Sequence, residues 1–266
     1  MLKINQYVRA QSLEEAYTLY QKKSSVLLGG MLWLKLQNRT VGTAIDLCGL
    51  ELDRIEETQE GFRIGAMVSL RTLETHPGLN EWTGGAVARC LSPIVGVQFR
   101  NLATIGGSIS GKFGFSDPLT LLLALGAELE FYHKGRVSLE QWLALPAERD
   151  ILTAVLLSKE PIRVDYRSMR NTATDFPVLT CVLCRTAGET RCALGARPGT
   201  AVLFRDDHGL LGEEITRETA AAFAEETADR AVFGSNTRGS ADYRRRLAQV
   251  LIRRGLLAIE EGQEWN

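Results

Sequence analysis

Nowhere does the sequence contain an apolar run approaching the roughly 18 residues that a membrane-spanning helix requires. Its opening stretch, MLKINQYVRAQS, lacks the apolar core of a signal peptide, so a cytoplasmic chain with no membrane span is expected. An excess of charge of one sign is also missing: 31 Lys and Arg face 32 Asp and Glu, for a formal net charge of −1. That balance excludes a dedicated nucleic-acid binder, which carries a strongly basic face. Histidine is scarce. His76, His133 and His208 fall in expected loops or strand ends without metal-ligand spacing, so no metal site is expected in this chain. No G-x-S-x-G elbow occurs either, which leaves Ser–His–Asp hydrolysis without a starting point and no side chain assigned to catalysis. Any reaction of this chain therefore calls for a cofactor to carry the chemistry.

The five cysteines (Cys48, Cys90, Cys181, Cys184 and Cys192) are odd in number and irregularly spaced. In a reducing compartment that pattern reads as packed thiols rather than a disulfide framework. Cys181 and Cys184 make a C-x-x-C, but it lies inside the β-like run PVLTCVLCR. On a strand, residues three apart point to opposite faces, so these two sulfurs diverge.

What is present is ordinary for a globular protein: 266 residues, 45% hydrophobic and 24% charged. A chain of this length buries a core large enough to need no staple. The first fifty residues read as β-α-β-α-β. SLEEAYTLYQKK is a helix, with Ser12 and Glu15 in capping-box spacing and Leu13, Ala16, Tyr17 and Tyr20 on one stripe. VLL at 26–28 and TAIDL at 43–47 are strands, and MLWLKLQNR between them is long enough for a short helix. FRIGAMVSL is a further strand, leading into a short helix that stops before His76-Pro77; another helix is expected over 81–92, weakened by Gly84 and Gly85. In SDPLTLLLALGAELEFY, Ser116 or Asp117 caps a helix with Pro118 in its first turn, and AELEFY alternates as a strand. SLEQWLAL is a capped helix and DILTAVLLS a strand. From about Ile162 come three strands (VDYRSM, VLTCVLCR, RCALGARP) and two helices, ITRETAAAFAEETADR and a last one near 240–259. That last helix sets Tyr243, Leu247, Val250, Leu251, Leu257 and Ala258 on one face and most of its arginines on the other. A solvated face and a dock for an acidic partner subunit both fit those arginines. The pattern is α+β in three pieces, 1–55, 56–160 and 161–266.

Two glycine-bearing turns stand out: Leu28-Gly29-Gly30-Met31-Leu32-Trp33, directly after a strand, and Ala103-Thr104-Ile105-Gly106-Gly107-Ser108. A diglycine lets the backbone approach a ligand with no Cβ in the way, and consecutive amides can converge on phosphate oxygens. Neither turn matches a dinucleotide G-x-G-x-x-G or a P-loop. Each alone fits a tight turn; the two together suggest a shared diphosphate.

The run RNLATIGGSIS, followed after a short gap by SDPLTLLLALGAELEF, resembles the signature of the FAD-binding (medium) subunits of the xanthine dehydrogenase and carbon monoxide dehydrogenase family of molybdenum hydroxylases. LLGGMLWLKL stands where that family has its first FAD loop. DLCGLELDRI, FRIGAMVSLRTLE and the terminal SADYRRRLAQVLIRRGL are similar to later segments, so the resemblance spans nearly the whole chain. It implies an α+β fold with a vanillyl-alcohol-oxidase (PCMH)-type FAD-binding part of two α/β subdomains, then a C-terminal domain of antiparallel sheet plus helices. It implies an oxidoreductase subunit that passes electrons from a [2Fe-2S] subunit through FAD to NAD or another acceptor, beside a molybdopterin-binding subunit. Carried over residue by residue, Leu27, Leu28, Gly29, Gly30, Met31, Leu32 and Trp33 would hold the FAD diphosphate through main-chain amides. Thr104, Gly106, Gly107 and Ser108 would complete that cradle. Asp117, after Ser116, would accept from the ribose hydroxyls or adenine side, Leu152 would lie against the flavin or ribityl chain, and Arg167 would stand near the isoalloxazine. The chain departs from the family where Met31, Leu32 and Trp33 replace small polar residues and where Ser108 replaces the common asparagine. One lost hydroxyl-to-phosphate bond costs about 1.5–3 kcal/mol when charge-assisted, or roughly one to two decades in affinity. The departure also admits an alternative: a structural subunit of the same complex with a degenerate flavin site.

Overall fold

In the computed structural model, which describes residues 1–146 and 148–262, the chain begins with β1 (Lys3–Arg9), α1 (Leu13–Tyr20), β2 (Ser25–Leu28), β3 (Thr40–Asp46), β4 (Ile55–Glu57) and β5 (Gly61–Gly65). Helices α2 (Leu70–Glu74), α3 (Pro77–Trp82), α4 (Ala86–Leu91), α5 (Val97–Leu102), α6 (Ile105–Ser110) and α7 (Asp117–Ala124) follow. Then come β6 (Glu128–Phe131), β7 (Gly135–Ser138), α8 (Leu139–Ala144), β8 (Leu152–Ser158), β9 (Arg163–Arg170), β10 (Pro177–Arg185), β11 (Thr190–Gly195), β12 (Val202–Arg205), α9 (Arg217–Arg230) and α10 (Ala241–Glu261). These elements gather into two compact units, each assembled from separated stretches of chain.

The first unit comprises Met1–Leu73, Val97–Gly111 and Ala127–Lys159. Its first sheet is parallel, in the order β1-β3-β2. Ser12 caps α1 by accepting the Glu15 amide at 3.1 Å, and the Glu15 carboxylate accepts in return from the Gln11 amide at 2.8 Å. This satisfies two donors that a helix start leaves open. Ala16 of α1 is buried with Ile45 and Leu47, so the helix stripe closes one face of the sheet. The second sheet is antiparallel, in the order β4-β5-β8-β6-β7. The helix expected over MLWLKLQNR is not formed; only a 3₁₀ turn, Leu34–Leu36, occurs there. Met31 takes a left-handed φ of 57° and Gln37 is already extended, so the single α-type bond, from the Lys35 amide to the Met31 carbonyl at 3.0 Å, is not propagated into a helix.

The second unit comprises Glu74–Gly96, Lys112–Gly126 and the chain from Glu160 onward. Its sheet is antiparallel in the order β12-β11-β10-β9. Helices cover both faces, so residues 177–184 of β10 are all buried. Cys181 and Leu183 pack in one apolar cluster with Phe223 of α9 and Leu251 of α10. Thr180 faces the other way, donating to Asp117 of α7 at 2.8 Å. Alternation thus puts Cys181 and Cys184 on opposite faces, and burial pushes the Cys184 thiol up to about 12. At Gly255 of α10 a Cβ would stand 2.5 Å from a Leu183 methyl and 2.7 Å from an Asp165 oxygen. Glycine there lets the helix lie directly on the sheet.

The helix expected over 81–92 is divided. Gly84 and Gly85 adopt φ of 55° and 75°, ending α3 and starting α4. The α10 stripe is also shifted: Leu247, Leu251 and Ala258 are buried, but Tyr243 is 45% exposed and Arg244 lies inside. Arg244 donates to the carbonyls of Val178 and Gly234 and to Asn236 Oδ1, so it pins a loop from within the unit. Among the described residues no helix is long and apolar enough to cross a membrane.

Candidate functional site

The two diglycine bends meet within the first unit. A Cβ built on Gly30 would stand 1.8 Å from the carbonyl oxygen of Leu102, and one on Gly29 would stand 2.7 Å from Thr104 Oγ1. The first bend therefore lies directly on the segment leading into the second, an approach open only to glycine. Local geometry explains how each bend is held. Leu27 and Leu28 end β2 with side chains in two different apolar clusters, on opposite faces of the sheet. Beyond Gly30, Met31 and Leu34 pack back onto the cluster of Leu28, Val41 and Ala44. Leu32 and Trp33 are half-buried.

The second bend is a capped turn. Thr104 is the N-cap of α6 and its Oγ1 accepts from the Gly107 amide at 3.2 Å. The Ile105 amide donates to Val68 at 2.9 Å and the Gly106 amide to Ala66 at 2.8 Å. Ser108 donates its amide and its hydroxyl to the Thr104 carbonyl, each at 3.0 Å. A Cβ on Gly106 would meet the Ala66 oxygen at 2.7 Å, so this glycine is needed for packing. A Cβ on Gly107 would meet only Thr104 Oγ1, at 3.1 Å, and Gly107 is exposed.

The bends therefore differ in a way the sequence did not show. Amides of the second bend are already bonded inside the protein, whereas among the described residues no backbone carbonyl accepts from those of Gly30, Met31 or Leu32. The first bend thus has open donors, whereas the second keeps its amides inside the protein and presents the bare Cα face of Gly107. Met31 in the left-handed region directly after Gly30 suits such open amides, since backbone that turns into this region can direct successive N–H groups to one side. Free main-chain donors and a glycine without a Cβ are the chemistry that a diphosphate asks for.

The remaining expected residues are placed elsewhere. Leu152 begins β8 in the first unit and is 5% exposed. Ser116, Asp117 and Arg167 belong to the second unit. Ser116 caps α7, its Oγ accepting from the Leu119 amide at 3.3 Å. Asp117 is buried: its Oδ1 accepts from Tyr166 at 2.9 Å and Thr180 at 2.8 Å, and its Oδ2 from Arg170 at 2.7 Å. Burial pushes this carboxyl up and Arg170 pulls against it. Arg167 donates to Asp165 at 2.7 Å and to the carbonyl of Arg254 in α10 at 3.3 Å. Both groups hold the second unit together. The sequence reading missed Leu102 and Ala66, which act through carbonyls and so leave no mark in side-chain chemistry.

A parallel sheet with paired diglycine bends, an adjoining antiparallel sheet and a helix-covered antiparallel sheet in a second unit together define a flavoprotein of the FAD-binding kind. Residues 2–159 match the family described as FAD binding domain in molybdopterin dehydrogenase, and residues 165–259 match the CO dehydrogenase flavoprotein C-terminal domain. The chain belongs to this family, the FAD-binding medium subunits of the molybdenum hydroxylases, which are oxidoreductases. It is 31% identical over 258 residues to the uncharacterized protein YgfM of Escherichia coli (strain K12), covering 94% of each chain. It is 27% identical over 271 residues to the nicotine 6-hydroxylase medium subunit of Paenarthrobacter nicotinovorans, covering 94% of this chain and 95% of the other. In fold it is similar to quinoline 2-oxidoreductase from Pseudomonas putida 86, with a TM-score of 0.86, 21% identity and 98% of both chains covered. A carbon monoxide dehydrogenase chain from Hydrogenophaga pseudoflava gives a TM-score of 0.85 at 24% identity, with 96% of both chains covered.

Proposed function

We propose that this chain holds FAD by its diphosphate and serves as the electron-transfer subunit of a cytoplasmic complex. A [2Fe-2S] subunit would supply the electrons, a molybdopterin-binding subunit would oxidise the substrate, and NAD or another soluble acceptor would take the electrons away. The observation that carries this reading is the seating of Gly30 on the Leu102 carbonyl, which brings together two bends, the first with open amides and the second with an exposed Gly107. Bound FAD supplies the exchange between single-electron and hydride chemistry. The residues of this chain would bind and orient it: the amides of Gly30, Met31 and Leu32 would donate to phosphate oxygens, and Thr104 keeps the second bend capped. No side chain needs to act as acid or base. Leu152, Ser116, Asp117 and Arg167 enter the reading as FAD contacts on the family resemblance alone.

The test is to titrate the purified full chain with FAD. Stoichiometric binding with flavin absorption bands is the expected result. A chain that takes up no FAD would instead favour the structural-subunit reading, for which the replacement of small polar residues by Met31, Leu32 and Trp33 is the motivating observation. Gentle purification from the native source, with flavin, iron and molybdenum measured on what co-purifies, tests the assembly.

A further inference from the structure

The apolar residues that replace hydroxyl-bearing ones in the first bend have a structural use. Met31 and Leu34 anchor the loop downward, onto the cluster on β2 and β3. Trp33 points elsewhere: its ring lies 6.4 Å from that of Phe99 on α5, edge to face at 70°. Both rings are half-buried. Phe99 stands three residues before Leu102, as Trp33 stands three residues after Gly30. The ring contact and the Gly30–Leu102 contact therefore span the same junction between the same two segments. Phe99 is also tied by backbone to the second bend, its carbonyl accepting from the Ala103 amide at 2.8 Å, one residue before the Thr104 cap.

We propose that Trp33 and Phe99 are a positioning pair: their edge-to-face contact holds the open amides of the first bend in place against the second, so that FAD affinity depends on a contact that itself bonds no phosphate. The inference rests on the FAD reading above and adds to it the residues that set the geometry. The left-handed Met31 makes such a brace necessary, because a non-glycine residue at φ 57° keeps that conformation only when its surroundings enforce it. Anchors on two sides, the sheet below and α5 beside, enforce it.

The experiment compares the full chain with Trp33→Ala, Phe99→Ala, the double variant and Trp33→Phe, measuring FAD dissociation constants and the melting temperature without FAD. Each alanine variant is expected to bind FAD about three- to tenfold more weakly, the scale of one aromatic pair. The double variant should be no weaker than the worse single, because both remove one contact. Trp33→Phe should restore most of the affinity, and flavin-free melting should stay within about 4 °C of wild type. If the alanine variants fail to fold, Phe99→Leu keeps the bulk and removes the ring contact, and the same loss is expected. Wild-type affinity in these variants, or losses that add in the double variant, overturns the pair. A wild-type chain that binds no FAD overturns the flavin reading itself, and this inference with it.

Discussion

The α-carbon of Gly30 rests on the carbonyl oxygen of Leu102, close enough that a methyl group there would stand 1.8 Å from it. Because the obstacle is backbone, no rotamer change relieves it. Gly30→Ala is therefore expected to separate the bends, costing about 1–3 kcal/mol in chemical denaturation and abolishing FAD retention. Gly107→Val makes a contrast: outside α6's own backbone, a Cβ there would meet only Thr104 Oγ1, at 3.1 Å. That variant should melt near the wild-type temperature while losing FAD. Full flavin occupancy in Gly107→Val would show the second bend to be misassigned.

Thr104 stands where the two bends meet, since its hydroxyl caps α6 and would be 2.7 Å from a Cβ on Gly29. Thr104→Ala removes a cap contribution of about 1 kcal/mol, readable in urea unfolding. Thr104→Ser keeps the acceptor and should restore most of that loss. Equal stability of all three proteins would mean the cap contributes nothing.

In the second unit, Asp117 and Arg170 form a pair with side chains 4% and 9% exposed. Arg170→Met leaves the carboxylate buried without its counter-charge and is expected to cost about 3–5 kcal/mol. Adding Asp117→Asn should recover part of it, because Asn can still accept from Tyr166 and Thr180. Additive losses across this double-mutant cycle would refute the coupling.

His208 makes a hydrogen bond to Glu226 at 3.1 Å, which raises its pKa, while the same contact lowers that of Glu226. A raised folded pKa means that this pair's contribution to stability is fully present below the unfolded histidine value of about 6.5 and fades as pH rises through the folded value. NMR titration of His208 should give a midpoint above the ordinary value, and Glu226→Gln should bring it down. An unchanged midpoint in that variant counts against the pairing.

Much of the fold was legible because local rules decide it. The Ser12 and Ser116 caps, the Pro118 helix start and the divergence of Cys181 from Cys184 all follow from spacing that the chain carries wherever it folds. Errors came where a tertiary contact outweighed local preference. MLWLKLQNR is long enough for a short helix, but Met31 is turned left-handed and its neighbours are drawn to the sheet and to α5. Helix α5 (VQFRNL) is too short to show an apolar period, and the glycine-rich run of α6 scores poorly as helix; the Thr104 cap and burial of Ile105 and Ile109 stabilise α6 nonetheless.

By itself the sequence determined that two diglycine bends exist and which family they resemble, because both facts reside in residue identity and order. Only the tertiary structure decided which amides those bends leave open, that Arg244 is an internal pin rather than part of a basic face, and that Trp33 finds Phe99. Each of those outcomes depends on carbonyls and rings brought together from distant parts of the chain. A carbonyl is common to every residue, so its position, and not its identity, carries the information.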